Sequence, residues 1–168
     1  SSNQNNPEAV EDGMGGALIS WVDMRNGNAD IYAVRVSYMS VYWTVNGVPV
    51  CTASGNQNTI VMKKYGQYGA IISWSDFRAS SDADIYAQRL DFWGNMIWAA
   101  DGIPVCAYDR YQAGQQIIED GNGDIIFAWI DPRELDHDIY VQKVSPAGTA
   151  QWETDGRLFL HEYYQRGG

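Results

Sequence analysis

The sequence predicts an all-β chain built from three tandem copies of one four-stranded antiparallel unit. Three observations carry this. The tryptophans Trp21, Trp74 and Trp129 lie 53 and 55 residues apart, each inside the pattern W-x-D-x-R. After each come D-I-Y (from Asp30, Asp84 and Asp138), a basic residue (Arg35, Arg89, Lys143), a second tryptophan (Trp43, Trp98, Trp152) and a glycine (Gly47, Gly102, Gly156). No segment carries the 3.6-residue apolar period of an amphipathic helix.

Within a unit the first strand is weakly marked, at about 59–64 in the second copy and QIIED in the third. Glycine-bearing turns follow it: EDGMGG, KYGQYG and EDGNGD. The second strand is the strongest signal, reading ALISWVD, AIISWSD and IIFAWID, apolar on both faces as expected of a strand covered on both sides. A third strand starts at D-I-Y and alternates, with Ile31, Ala33 and Arg35 on one face and Tyr32, Val34 and Val36 on the other. A turn such as SPAGTA then leads into a fourth strand, expected to carry the second tryptophan.

Gln4, Gln57 and Gln112 each precede the motif tryptophan by 17 residues, and Gln165 follows the last copy. The phase predicts one repeat domain of three whole units, about 4–56, 57–111 and 112–165. With no initiator methionine and no leader pattern at its start, the sequence reads as a processed or excised chain.

The 168 residues, 45% hydrophobic and 13% aromatic, suffice for one continuous core. The net charge of −10, from 21 acidic against 11 basic residues, argues against a nucleic-acid partner. Apolar runs are too short for a membrane-spanning helix. Cys51 and Cys106 occupy equivalent places in GVPVC and GIPVC, where the third copy has Leu160. The position wants an apolar side chain, and the expectation is two separate buried thiols, since equivalent points of neighbouring repeats sit too far apart for a disulfide.

Carboxylates are the main candidates for chemistry. Asp23, Asp76 and Asp131, with Asp30, Asp84 and Asp138, resemble the acid pairs that hydrolyse glycosides. A catalytic pair is needed once, however, and this pair occurs in every copy. The structural reading is favoured: Trp21, Asp23 and Arg25, Trp74, Asp76 and Arg78, and Trp129, Asp131 and Arg133 share a strand face by their i, i+2, i+4 spacing. The tryptophan would fill space between sheets while the arginine fork holds a carboxylate and a carbonyl. Calcium at Asp82, Asp84, Asp136 and Asp138 is the lesser alternative, and no other cofactor is expected. EDGNGD contains D-x-N-x-D, but its counterparts lack the ligands, so a hairpin turn is preferred. His137 and His161 are isolated, with no zinc spacing, and no nucleophile with a base or phosphate loop is recognisable.

Four antiparallel strands in 53 to 55 residues, in tandem, is the pattern of a β-propeller blade. The unit resembles the W-x-D-x-R…D-I-Y-A-x-R…G…W…G-x-x-V-C repeats found in tandem in large secreted or surface proteins of bacteria. It is similar, more distantly, to sialidase-type blades. Their Asp-box turn, S-x-D-x-G-x-T-W, is approximated by LDFWGNMIW and SPAGTAQW, while SYMSVYW lacks the glycine.

The resemblance implies an extracellular or cell-surface location. Blade geometry would bring Tyr38, Tyr65, Tyr68, Phe92 and Trp93 out on one side, as a platform for glycans or protein partners, or buried against neighbouring loops. Three blades do not close a ring, so an apolar sheet face is expected at each end, completed by other subunits or by a longer chain. Two functions follow as expectations. The first is a non-catalytic scaffold, assembling as a homo-oligomeric ring or helical filament. The second is a carbohydrate- or protein-binding module, or a non-catalytic part of a glycan-processing enzyme.

Overall fold

A computed structural model describes residues 3–79, 81–134 and 137–160, and of Leu160 the backbone alone. These residues form twelve strands and no helix. Blade 1 consists of β1 (Gln4–Glu11), β2 (Ala17–Asp23), β3 (Asp30–Val36) and β4 (Val48–Cys51). Blade 2 consists of β5 (Gln57–Tyr65), β6 (Gly69–Asp76), β7 (Asp84–Leu90) and β8 (Ile103–Cys106). Blade 3 consists of β9 (Ala113–Glu119), β10 (Ile125–Asp131), β11 (Asp138–Val144) and β12 (Arg157–Leu160). Each blade is an antiparallel sheet in sequence order, none closes into a barrel, and the three are propeller-like.

The central hairpins share one register. Trp21 faces Tyr32, Trp74 faces Tyr86 and Trp129 faces Tyr140, and each hairpin ends on an aspartate pair: Asp23 with Asp30, Asp76 with Asp84, Asp131 with Asp138. Neighbouring sheets stack with β1 alongside β5 and β5 alongside β9. The core is therefore divided between two junctions. Leu18, Val22, Ile31, Val50 and Cys51 of blade 1 meet Ile60, Met62, Ile72 and Trp74 of blade 2. Ile71, Ile85, Val105 and Cys106 of blade 2 meet Ile117, Phe127 and Trp129 of blade 3. Stacking on both sides is why β6 is buried along nearly its whole length.

The first strands are longer than their sequence signal. Near the start of each, the ladder shifts register, and the equivalent residues Asn6, Thr59 and Gly114 have φ of 49°, 53° and 66°. A bulge there breaks the period-two alternation by which a strand is recognised. Glycine occupies the site only in blade 3. Thr59 is exposed and β-branched, so its left-handed backbone is strained. Thr59→Gly is expected to raise stability by about 1 kcal/mol, read as a higher urea midpoint at unchanged slope.

One expectation is corrected. The fourth strands do not carry the second tryptophan; they are the short segments VPVC, IPVC and RLFL. Trp43, Trp98 and Trp152 precede them in irregular chain. Trp43 Nε1 donates to Phe92 O (3.2 Å) and Trp98 Nε1 to Pro146 O (3.1 Å), so these indoles wedge one blade against the turn of the next. Each lies on a glycine of that turn, Gly94 or Gly148, where no side chain would fit.

Candidate functional site

Each motif tryptophan, aspartate and arginine is brought together at the end of its hairpin. The indole N–H donates to the aspartate two residues on, over 2.9 Å from Trp21 to Asp23, 2.7 Å from Trp74 to Asp76 and 3.0 Å from Trp129 to Asp131. The arginine backbone N–H bonds the other carboxylate oxygen in every copy. Its guanidinium ion-pairs with the same aspartate and also donates to a carbonyl in the approach to the fourth strand: Asn46 for Arg25 (2.9 Å), Asp101 for Arg78 (2.7 Å) and Asp155 for Arg133 (2.7 Å). The same guanidinium lies 3.9 Å from the ring centre of Tyr32, Tyr86 or Tyr140. One side chain thereby ties three strands of a blade, as a planar five-donor fork permits.

The latch also touches the preceding blade. Cys51 Sγ lies 4.0 Å from Asp76 Oδ2, and Cys106 Sγ lies 3.9 Å from Asp131 Oδ2. Asp101 Oδ1 accepts from Thr52 N and Asp155 Oδ1 from Ala107 N, both over 2.8 Å. Both cysteines are free and buried, and burial pushes their thiols up to about 12, so they stay protonated.

A second tie closes each blade at its other end, in three chemical versions. In blade 1, Asp12 caps its own turn through the N–H groups of Met14 and Gly16 and pairs with Arg35 (2.7 Å). In blade 3, Asp120 caps Asn122 and Asp124 and pairs with Lys143 (2.7 Å). The EDGNGD carboxylates thus serve a hairpin turn and a lysine. In blade 2 the equivalent residue is Tyr65, and Arg89 stacks on its ring at 4.8 Å. Sequence reasoning missed this tie because no single residue type repeats across it.

The carboxylates separate electrostatically. Asp23 is held well below the usual range by the Arg25 hydrogen bond, against burial and with help from Trp21. For Asp131 burial opposes ionisation most strongly, yet Arg133 and Trp129 outweigh it and the group is lowered. Their stabilising contribution is present above the ordinary carboxylate range and is lost as pH falls through their depressed values. Across the hairpin, Asp84 is raised to about 6, first by burial and then by Asp76. Its sign is opposite: protons bind the folded chain more tightly, so stability falls as pH rises from about 4 to 6. Asp84→Asn is expected to stabilise on the order of 2–3 kcal/mol at pH 7.5 and to do nothing at pH 3.5, by urea denaturation at both.

Asp30 is occupied by amides: Asn26 Nδ2 at 2.7 Å and Asn28 Nδ2 at 3.0 Å. Among the described residues, no group of three or more His, Cys, Asp or Glu is placed to hold a metal ion. Asp136, His161 and Gln165 lie outside the described residues.

The five aromatic candidates divide. Tyr65 is buried, its hydroxyl donating to Gly123 O (2.6 Å) at the blade 2–3 junction, and it also lines the cleft that holds Tyr68, Phe92 and Trp93. Tyr68 and Phe92 meet edge to face at 5.4 Å, and Phe92 and Trp93 at 5.7 Å. Met14 joins them in a cleft between blades 1 and 2, with Arg35 supporting Phe92 from beneath at 3.8 Å. Trp93 is 74% exposed. Tyr38, 97% exposed, lines neither pocket there.

No protein-family model matches this chain, and no curated protein matches it either. The site is therefore defined by its own geometry. No helix among the described residues is long and apolar enough to cross a membrane.

The ends of the stack complete the picture. Trp74 and Trp129 are fully buried beneath a preceding blade, whereas Trp21 is half-buried in an open cleft with Gln4, Pro7, Ile19, Arg25 and Val45. Val50 and Val105 are 2% and 3% exposed beneath a following blade; their equivalent in blade 3, Phe159, is 66% exposed.

Proposed function

We propose that this protein is a non-catalytic structural repeat protein of the cell exterior, which assembles through its end blades into a ring or a filament. The observation that carries the reading is that positions buried at the internal junctions are uncovered at the two ends of the described residues, where Ile19, Trp21, Ile130 and Phe159 keep them apolar. Exposed apolar faces of this kind are interaction sites. The repeated carboxylates support a structural role, since Asp76 and Asp131 are fully buried and bound to their own arginines and tryptophans. The likeness to tandem repeats of secreted and surface proteins supports the location.

Sedimentation velocity and negative-stain imaging test the reading. Rings or filaments at tens of micromolar are the expected result; a monomer throughout that range refutes it. A second reading, a glycan-binding module, is favoured by the exposed Trp93 beside Phe92, Tyr68 and Met14, since an open indole offers a stacking surface. Glycan-array binding that is abolished by Trp93→Ala would support it.

A further inference from the structure

We infer that the two end faces are halves of one interface: the back of blade 3 in one copy seats on the front of blade 1 in the next, with Phe159 entering the Trp21 cleft. This rests on the assembly reading above and names its partner and its contact. The internal junctions provide the template. At each, the Val-Cys pair of a fourth strand meets the front of the following blade and its motif tryptophan.

The end faces depart from that template in a correlated way. A repeat face that stays in water is expected to be polar. Three positions on the back of blade 3 are instead more apolar or bulkier than their buried equivalents, although Arg157 takes the place of Val48 and Ile103, and His137 that of Ala29 and Ala83. Ala128 stands where Ser20 and Ser73 stand, Ile130 where Val22 and Ser75 stand, and Phe159 where Val50 and Val105 stand. Ile130 is 40% exposed and sits on the same sheet. At those three positions the face gains apolar bulk where no described blade covers it, as a surface built to be covered does.

The front of blade 1 changes in the opposite sense. Pro7 and Ala9 replace Ile60 and Met62 of blade 2, both buried at the first junction. The smaller side chains leave the cleft floored by Ile19 and Trp21. The tail has grown where the head has shrunk, as close packing across one interface requires. A further match lies at the rim. Asn46, the counterpart of Asp101 and Asp155, lines this cleft and offers an amide oxygen where those residues accept a backbone N–H from the preceding blade. The faces differ from one another, so the contact is heterologous, and copies add head to tail until a ring closes or a filament grows.

The test uses two single variants of the full chain. Phe159→Lys blocks the tail and leaves the head intact; Ala9→Arg blocks the head and leaves the tail. Both positions are exposed, and an unchanged melting temperature checks that each variant folds. Each alone is expected to associate at least ~30-fold more weakly than the wild type, the scale of a lost interface hot spot. Mixed in equal amounts they should form a one-to-one dimer and stop there, because one good head meets one good tail while the remaining pair carries like charges. A mixture that stays monomeric, or a single variant that assembles like the wild type, overturns this pairing while the assembly reading stands. A monomeric wild type overturns both.

Discussion

Asp76→Ala is expected to cost about 3–5 kcal/mol, the range for removing one partner of a buried ion pair. Asp76 is fully buried and accepts from the Trp74 indole, the Arg78 backbone and the Arg78 guanidinium. Its loss strands an indole N–H and leaves a cation facing the desolvated Cys51 side chain (3.3 Å). Asp23→Ala is expected to cost about half as much, because Arg25 is partly solvated and Trp21 is only half-buried, with no described blade over it. The double variant Asp76→Ala with Arg78→Ala should recover part of the loss, since no unpaired charge remains. Urea denaturation of the four proteins measures each term. A loss below ~1 kcal/mol for Asp76→Ala would show that the latch is a surface pair of the ordinary weak kind.

Gly102→Ala is the second large effect. Gly102 has φ of 85°, and a Cβ there would lie 2.6 Å from Trp74 Cη2 and 2.8 Å from Ala87 O. The backbone term is about 1 kcal/mol, and forcing a methyl into a packed indole adds about 1–3 kcal/mol. Gly121 separates the two, because its φ is 84° and nothing lies within 4 Å of the same added atom. Gly121→Ala should therefore lose only the backbone part. Equal losses at the two sites, by thermal melting, would remove the packing argument. The repeat glycines Gly47, Gly102 and Gly156 all lie on a motif tryptophan, so the W…G spacing records one contact made three times.

That spacing shows why so much was legible in the chain. The second strands announce themselves because two stacked neighbours require apolar residues on both faces, and W-x-D-x-R repeats because every blade needs the same latch. The bulged first strands were faint because Asn6, Thr59 and Gly114 interrupt the alternation with a left-handed residue of changing type. The second tryptophan looked like a strand residue, yet its role is to reach the turn of another blade, a relation invisible within one unit. Tyr65 read as an exposed turn aromatic; its partner Arg89 lies on a neighbouring strand, and only the fold shows it standing in for an aspartate. At the ends the difficulty was different. Residues such as Ile130 and Phe159 look like ordinary core until the structure shows them exposed, with no sheet of the described residues over them.

The arginine latches have a colloidal consequence. Among the described residues, Arg25, Arg35, Lys64, Arg78, Arg133 and Lys143 form ion pairs within the chain, and four of these lie in the latches and blade 1's closing tie. Arg35 and the three latch arginines are turned inward, while the chain as a whole carries −10. Two copies approaching through apolar ends, as proposed, would therefore meet like charge over the rest of their surfaces, and mobile ions would shorten the reach of that repulsion to about 8 Å at physiological strength. Added salt should strengthen their association, the reverse of what an interface held by ion pairs would do.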